Sequence, residues 1–264
     1  MSVDTIKLND GGSIPAIGLG TSRLTGQQAV ESVGQAIKAG YRLIDTAEMY
    51  GNEAEVGQAI NDSEVKRAEI FINTKISPRP GPQTYQSIKD RCHQMATDYV
   101  DMCLIHWPPA GGDGEDMWPE LVKAKADGLA KHIGVSNYTI EQLKKLQKLG
   151  ELPSVNQIEA SPFGFDQQLI DDCQALGVVV QAYSPLTRTG RLGDANLAEI
   201  AKSYNKSPAQ ILLRWSRQKG LLPLPKATSE AHLKDNLEVF DFELTQADMV
   251  KLDGLNEGYT FRQS

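Results

Sequence analysis

Cysteine, long apolar runs and a targeting segment are what this sequence lacks. It has 3 cysteines in 264 residues, and no two of them form a CxxC pair. An odd number of widely spaced cysteines argues against a disulfide framework and against a structural zinc site. No apolar run approaches the roughly 18 to 20 residues that a membrane-spanning helix needs. The first residues lack the basic and apolar regions of a secretory signal peptide, so we expect a cytoplasmic protein.

Positive charge is also in short supply. Lys and Arg number 27 against 34 Asp and Glu, which gives a net charge of −7. Because proteins that bind phosphate backbones concentrate positive charge, this balance argues against a nucleic-acid partner. A composition of 40% hydrophobic and 23% charged residues is ordinary for a globular protein. No Ser/Gly-rich or Pro-rich linker divides the chain, so we expect one domain over residues 1–264.

Short apolar runs alternate with amphipathic stretches along the whole chain. The runs lie at 16–20, 42–45, 70–75, 100–106, 132–136, 154–157, 178–183 and 221–224. The stretches between them have helical periodicity, as in 29–37, and Gly40 is predicted to be the C-terminal cap of that helix. Apolar strands that alternate with helices predict a parallel sheet covered by helices. Eight such units in 264 residues predict an α/β protein, a (β/α)8 TIM barrel.

A doubly wound sheet is the structural alternative, since it also alternates strands and helices. It would require a glycine-rich phosphate loop after its first strand. The segment 18–23, GLGTSR, lacks the third glycine of that fingerprint. Before the first run, residues 6–15 have turn residues between two short alternating arms, which predicts an N-terminal β-hairpin over one end of the barrel.

Four ionisable side chains follow consecutive strands of the predicted barrel. Asp45 ends the second run, Tyr50 lies in the loop after it, Lys75 ends the third run, and His106 ends the fourth. Because the carboxyl ends of barrel strands converge on one face, we expect these side chains to meet there. Each of them taken alone also has a structural interpretation, such as a helix cap or a solvated strand end. The set as a whole is typical of acid–base chemistry.

A tyrosine beside a lysine suits proton transfer to an oxygen atom. The ordinary pKa of a tyrosine, about 10, is too high for easy proton exchange near neutrality, and a nearby ammonium lowers it. A carboxylate would hold the lysine in place, and a histidine can orient a carbonyl group. The residues therefore predict protonation of a carbonyl oxygen as hydride reaches the carbon. They include no nucleophile for acyl transfer and no metal-ligand cluster.

At these residues the sequence resembles the aldo-keto reductase family over nearly its whole length. It looks most like the bacterial 2,5-diketo-D-gluconate reductase and prostaglandin F synthase-like members. The similar segments are GYRLIDTAEMYGNE at 40–53, TK at 74–75, LIHWP at 104–108, IGVSN at 133–137, NQIE at 156–159, and PLPK at 223–226 with DN at 235–236. Several long motifs in the family's order make a coincidental match very improbable.

The resemblance implies NADPH-dependent reduction of aldehydes and ketones to alcohols by hydride transfer, over a broad range of carbonyl substrates. Tyr50 would be the general acid, Lys75 would lower its pKa, Asp45 would pair with Lys75, and His106 would orient the carbonyl. The implied cofactor contacts are Ser136, Asn137 and Gln157 at the carboxamide, Tyr183 on the nicotinamide ring, Ser184 and Leu186 at the pyrophosphate, and Lys226, Thr228, Ser229, His232 and Asn236 at the adenosine end.

Two departures from the family's pattern lie at the adenosine end. The common pattern is Lys-Ser, with an arginine five residues after the serine. Here Lys226 is followed by Ala227, and His232 stands at the arginine position. A histidine cannot offer a phosphate the planar fork of arginine and is mostly uncharged near neutrality. We therefore expect NADPH to be preferred by a reduced margin, with NADH also used.

The expected substrate is a small carbonyl compound. The resemblance puts Met49 and Trp107 in the substrate pocket, whose apolar character suits an uncharged or weakly polar aldehyde or ketone. We expect a monomer, with a dimer as the alternative, and no membrane partner. A catalytically weak nicotinamide-binding barrel with a regulatory role is the second function, and a metal-dependent barrel hydrolase is a distant third. The complete set of four strand-end residues favours the enzyme.

Overall fold

Within residues 4–260, ten short strands form an N-terminal hairpin and a parallel barrel. The computed structural model describes residues 4–260; the remainder of the predicted domain, 1–3 and 261–264, lies outside the described residues. The hairpin strands are β1 Thr5–Lys7 and β2 Ser13–Pro15, which pair antiparallel. The barrel strands are β3 Leu19–Gly20, β4 Leu43–Asp45, β5 Phe71–Ile76, β6 Val100–Ile105, β7 Ala130–Ser136, β8 Val155–Glu159, β9 Val179–Tyr183 and β10 Leu222–Leu224.

The eight barrel strands pair in parallel and in chain order. Two backbone hydrogen bonds join the last strand to the first: Gly18 donates to the Pro223 carbonyl over 3.2 Å, and Gly20 donates to the Pro225 carbonyl over 2.9 Å. These bonds close the sheet into a barrel. The predicted (β/α)8 fold and the N-terminal hairpin are both confirmed.

Helices follow the barrel strands and cover the outside of the sheet. They are α1 Gly26–Ala39, α2 Glu53–Asn61, α3 Thr84–Gln94, α4 Trp118–Ala126, α5 Ile140–Gln147, α6 Gln167–Ala175, α7 Ala195–Ser203, α8 Pro208–Gln218, α9 Glu230–Leu237 and α10 Gln246–Asp253. The predicted helical stretch 29–37 lies within α1, and Gly40 caps that helix with a left-handed φ of 115°. Between residues 4 and 260, no helix has the length and apolar character needed to cross a membrane.

Alternation along each strand separates two apolar layers. Outward-facing side chains such as Ile44 and Cys103 pack against the helices in the larger layer. Inward-facing side chains such as Leu43 and Met102 form a smaller cluster inside the barrel, together with Ile14 of the hairpin. Much of this inner cluster lies at the amino ends of the strands, as Leu43, Val155 and Leu222 do, while Leu104 and Leu224 lie near the carboxyl ends.

The hairpin covers the amino end of the barrel. Its turn is held by a hydrogen bond from the Asn9 amide to the Pro153 carbonyl, 3.0 Å, and by Asp10, 2.7 Å from the His132 ring. Gly12 lies so close to His132 that a Cβ at this position would be 2.1 Å from the ring. With this end covered, the opposite end of the barrel is left for a ligand.

The first barrel strand is much shorter than the apolar run predicts. The predicted strand covers 16–20, whereas β3 contains only Leu19 and Gly20. The reason is a competing partner, since the Ala16 amide donates to the Asp4 carbonyl over 2.8 Å and extends the hairpin. The other predicted strands differ from the structure by one or two residues at their ends.

Candidate active site

A cavity of about 770 Å³ opens at the carboxyl ends of the barrel strands. Three of the four predicted catalytic residues, Asp45, Tyr50 and His106, line it. The fourth, Lys75, is completely buried immediately behind them. The structure therefore brings together side chains that are up to 61 positions apart in the sequence, as expected for neighbouring parallel strands.

Asp45 and Lys75 form a buried ion pair on adjacent strands. The Lys75 ammonium lies 2.8 Å from each carboxylate oxygen of Asp45 and 2.8 Å from the Thr46 carbonyl oxygen. Burial alone would lower the pKa of Lys75, but the Asp45 carboxylate reverses this effect and raises the pKa above its ordinary value. Lys75 therefore remains a cation at neutral pH, and the Asp45 carboxylate stabilises this buried charge.

Tyr50 is presented by the 3₁₀ turn Glu48–Tyr50, which ends at Gly51 with a left-handed φ of 65°. The Lys75 ammonium lies 5.0 Å from the centre of the Tyr50 ring, and the His106 ring lies 5.8 Å away in an edge-on arrangement. Burial raises the pKa of Tyr50, while Lys75 lowers it. The expected lowering by Lys75 is present, but burial outweighs it and the net pKa is raised. The phenol consequently keeps its proton and is suited to donate it.

A polar layer inside the barrel fixes the Asp45 carboxylate. Asn73 donates to Asp45, and the Gln157 amide donates to Asp45 over 2.9 Å and to Gln181 over 2.7 Å. Asn73 and Gln181 are fully buried, and neither was predicted from the sequence. The sequence signal that could have identified them is a polar residue among the apolar residues of a strand, at a position that faces the barrel interior. The layer satisfies the carboxylate and limits its movement.

A second network, also missed from the sequence, supports the turn that bears Tyr50. Arg91 of α3 lies 3.1 Å from both Glu48, which begins the turn, and Glu53, which begins α2. The Thr74 hydroxyl donates to Glu53 over 2.6 Å, and the Ser77 amide donates to Glu48 over 2.9 Å. Burial raises the pKa of Glu53 to about 7. Arg91 thus joins the two ends of the segment between β4 and α2.

The residues predicted to hold the nicotinamide lie together on one wall of the cavity. Ser136 and Gln157 are paired across β7 and β8, and the Asn137 amide donates to the Ser136 hydroxyl over 2.9 Å. The Tyr183 hydroxyl donates to the Asn137 side chain over 2.9 Å. Gln157 uses both amide hydrogens on Asp45 and Gln181, while no hydrogen bond in residues 4–260 uses its Oε1. A carboxamide N–H donor fits this wall.

The predicted adenosine contacts divide into two groups. Lys226, Ser184 and Leu186 line the cavity. Ser229 caps α9 by accepting a hydrogen bond from the His232 amide, 3.3 Å, and Asn236 is buried farther along that helix. These four residues lie outside the cavity lining: Thr228 and Ser229 precede α9, and His232 and Asn236 lie within it.

Met49 and Trp107, the two predicted substrate residues, both line the cavity and contribute apolar surface to it. Trp107 stacks on His106 with ring centres 6.3 Å apart and an interplanar angle of 14°. Met49 is 62% exposed, the highest among the large apolar side chains in residues 4–260. Because Met49 also lines the cavity, its exposed side chain is accessible to a ligand there.

Comparison with known proteins agrees with this geometry. The sequence profile of the aldo/keto reductase family matches residues 16–257. The chain belongs to the aldo/keto reductase family. Membership makes it an NAD(P)-dependent oxidoreductase, as the sequence predicts.

Individual relatives are similar to this aldo-keto reductase over more than nine-tenths of their lengths. An aldo-keto reductase of Mycobacterium sp. (strain MCS) is 44% identical over 98% of this chain and 93% of its own. A glyoxal reductase of Bacillus subtilis is 41% identical over 96% of this chain and 93% of its own. A Bombyx mori aldo-keto reductase, whose crystal structure is in complex with NADP, is 34% identical in sequence. The two structures superpose with a TM-score of 0.91, over 98% of this chain and 95% of that one.

Proposed function

We propose that this aldo-keto reductase reduces aldehydes and ketones to alcohols with NADPH, and that Tyr50 is the general acid. The observation that supports this most directly is the buried Asp45–Lys75 ion pair next to Tyr50, at the base of a cavity that His106 also lines. A buried cation beside a phenol has a clear chemical use, since it stabilises the phenolate that remains after proton transfer.

The chain's own residues suit the nicotinamide cofactor. Ser136, Asn137 and Gln157 would hold the carboxamide, and Tyr183 would pack against the ring. When bound, NADPH supplies the hydride that adds to the carbonyl carbon. By fixing the ring in the cavity, these residues would determine which face of the substrate accepts that hydride.

The proton reaches the carbonyl oxygen from Tyr50. The raised pKa of Tyr50 keeps the phenol protonated before the reaction. Lys75 then offsets the negative charge left on the phenolate, and Asp45 keeps Lys75 charged and in position. His106 would hydrogen-bond the carbonyl oxygen and direct it toward the phenol. In the reverse direction the Tyr50 phenolate would accept the proton of an alcohol.

Small, uncharged carbonyl compounds suit the apolar wall formed by Met49 and Trp107. We propose α-dicarbonyls, aromatic aldehydes and keto-sugars as substrates, and the name of the Bacillus subtilis relative, glyoxal reductase, supports the first of these. NADPH would be preferred over NADH by a modest factor, because Ala227 and His232 replace the serine and arginine of the family's pattern. We further propose a cytoplasmic monomer that acts as one domain.

The test is steady-state oxidation of NADPH and NADH, measured at 340 nm, with phenylglyoxal, methylglyoxal and benzaldehyde. We expect turnover with at least one dicarbonyl and a higher kcat/KM for NADPH than for NADH. Equal efficiency, or a preference for NADH, would contradict the cofactor assignment. Tight NADPH binding without turnover of any carbonyl would contradict the enzymatic proposal and favour a regulatory barrel.

A further inference from the structure

Four polar side chains form a closed square of hydrogen bonds inside the barrel. The backbone register places Asp45 of β4 beside Asn73 of β5, and Gln157 of β8 beside Gln181 of β9. These two pairs lie on opposite sides of the eight-stranded ring, so their inward-facing side chains meet across the barrel. Asn73 and Gln157 each donate to Asp45 and also to Gln181, over 3.3 and 2.7 Å in the bonds to Gln181. None of the four residues is more than 3% exposed.

The charge on Asp45 determines how the three amides are turned. A carboxylate accepts hydrogen bonds and donates none, so Asn73 and Gln157 must both turn their NH2 groups toward it. Each NH2 group has a second hydrogen, and both of these second hydrogens meet the Oε1 atom of Gln181. Gln181 therefore has to turn its carbonyl oxygen, not its nitrogen, toward the two donors. Asp45 and Gln181 are the two acceptors at opposite corners of the square.

This arrangement leaves two polar atoms without partners. The amide nitrogen of Gln181 and the carbonyl oxygen of Asn73 are buried and form no hydrogen bond in the part of the chain that the structure describes. A buried polar atom without a partner is destabilising, whereas apolar side chains of similar shape at both positions would be close to neutral. Packing alone therefore does not explain why amides stand at positions 73 and 181.

Gln157 connects the square to the cavity that it lines. Its two amide hydrogens are committed to Asp45 and Gln181, and between residues 4 and 260 its Oε1 accepts no hydrogen bond. The atom that Gln157 has left for a ligand is thus an acceptor. To present its NH2 group to the cavity instead, Gln157 would have to break both of its bonds in the square.

We propose that Gln181 is a positioning residue, which holds Gln157 as a hydrogen-bond acceptor for the carboxamide NH2 group of the nicotinamide. This inference rests on the proposed function, because it takes the carboxamide as the ligand of Gln157. Gln181 has no exposed surface and lies outside the cavity lining, so it acts through Gln157 rather than on the cofactor. The bond to Asp45 alone would leave the Gln157 amide free to rotate about it. The second bond, to Gln181, fixes the plane of the amide.

The square also joins the cofactor site to the catalytic ion pair. One carboxylate, that of Asp45, accepts from the Lys75 ammonium over 2.8 Å and from the Gln157 amide over 2.9 Å. The same charge therefore keeps Lys75 in place beside Tyr50 and turns Gln157 toward the nicotinamide. Gln181 supports the second of these two tasks.

The test compares NADP⁺ with its 3-acetylpyridine analogue, in which a methyl ketone replaces the carboxamide and no NH2 group remains. The Kd of each ligand is measured by quenching of tryptophan fluorescence in the full chain, for the wild type and for Gln181→Met. In the wild type we expect the analogue to bind about tenfold more weakly, as expected for the loss of one hydrogen bond. Gln181→Met should raise the Kd of NADP⁺ about fivefold and leave that of the analogue within about twofold, because the analogue makes no bond that Gln181 supports.

Two further variants separate this role from a loss of packing. Gln181→Glu keeps a carboxyl oxygen that can accept from both amides, so it should keep the wild-type ratio of the two Kd values. Gln210→Met is the matched control, because Gln210 is also buried, donates to the Asp235 carbonyl over 3.0 Å and lies outside the cavity lining. It should leave both Kd values unchanged. If Gln181→Met does not fold, as judged by thermal melting, Gln181→Leu takes its place.

Two results would overturn the proposal. One is a ratio of Kd values in Gln181→Met equal to that of the wild type, whether both values stay the same or rise together. The other is a wild type that binds NADP⁺ and the analogue equally well. Failure of the proposed function gives a different result: the wild type would discriminate between the two ligands and Gln181→Met would not, yet no carbonyl compound would be reduced with NADPH.

Discussion

At the scale of single residues, the site depends on opposite charges that stabilise each other in a buried ion pair. Lys75 has no exposed surface, and its three nearest acceptors are the two Asp45 oxygens and the Thr46 carbonyl. Because a buried ion without a partner is costly, neither Lys75 nor Asp45 can be removed without consequence for the other. The same pair sets the charge next to Tyr50, so that stability and activity depend on the same atoms.

We predict that Lys75→Met lowers kcat by at least 100-fold, because the Tyr50 phenolate would lose its compensating cation. The substitution also leaves Asp45 as a buried, unpaired charge, which should lower the free energy of unfolding by about 3 kcal/mol. Steady-state kinetics and urea denaturation check the two effects separately. The double variant Asp45→Asn with Lys75→Met is the control, since it should regain stability without regaining activity. A single variant with more than a tenth of the wild-type kcat would contradict the role of Lys75.

Glu53 predicts a pH dependence of stability. Burial raises its pKa in the folded protein to about 7, from an ordinary value of 4.5. Between these values the folded protein binds a proton that the unfolded chain does not, so stability falls as pH rises from 4.5 through 7. The loss from this one group is on the order of 1 to 3 kcal/mol. Between pH 5 and pH 8, the free energy of unfolding should therefore fall more in the wild type than in Glu53→Gln, by about 1 to 3 kcal/mol.

Urea denaturation at both pH values measures this difference. Glu55→Gln, a substitution on the same helix at a partly exposed position, is the matched control and should retain the wild-type slope. If Glu53→Gln also loses stability in parallel with the wild type, the buried carboxyl is not the source of the dependence.

At the scale of elements, close helix packing supports the turn that presents Tyr50. Helix α2 follows this turn directly, and Gly57 of α2 contacts the end of α3 so closely that a Cβ would be 2.4 Å from the Met95 carbonyl oxygen. Arg91, on α3, reaches both Glu48 and Glu53. The packing of α2 on α3 therefore determines where the catalytic turn lies.

We predict that Gly57→Ala lowers the free energy of unfolding by about 1 to 3 kcal/mol, because the added methyl meets backbone atoms that cannot move aside. Gly34→Ala is the matched control in α1, where a Cβ would have nothing within 4 Å. That substitution should instead stabilise the protein by about 0.5 to 1 kcal/mol, through helix propensity. Urea denaturation of both variants measures these changes in the free energy of unfolding. A Gly57→Ala variant as stable as the wild type would contradict the described packing.

At the scale of the whole molecule, the repeated strand and helix units could be predicted from the sequence. Contacts between strands that are far apart in the sequence, which form only when the barrel closes, could not. Eight apolar runs predict the barrel, and the convergence of parallel strands predicts the meeting of Asp45, Tyr50, Lys75 and His106. The hydrogen bond between Asn73 and Gln181 joins residues 108 positions apart, and no local pattern pairs them. Arg23, which follows β3, becomes a neighbour of Lys226, which follows β10, only because β3 closes against β10.

The shortened first strand illustrates the same limit. Residues 16–20 have the composition of a strand, but the choice between the barrel and the hairpin is made by the Asp4 carbonyl, which accepts a hydrogen bond from the Ala16 amide. The pKa of Tyr50 is a further case, because the effect of Lys75 could be foreseen from residue types while the larger effect of burial could not.

The most direct test of the account is NADPH oxidation by the wild type and by Tyr50→Phe with a reactive α-dicarbonyl, at matched and saturating NADPH. The substitution removes only the phenolic oxygen, so the fold and the Kd for NADPH should be unchanged while kcat falls by at least 1,000-fold, on the order of 4 kcal/mol in the barrier. Turnover in Tyr50→Phe within tenfold of the wild type would show that the proton comes from another group, and the assignment of Tyr50 would be wrong.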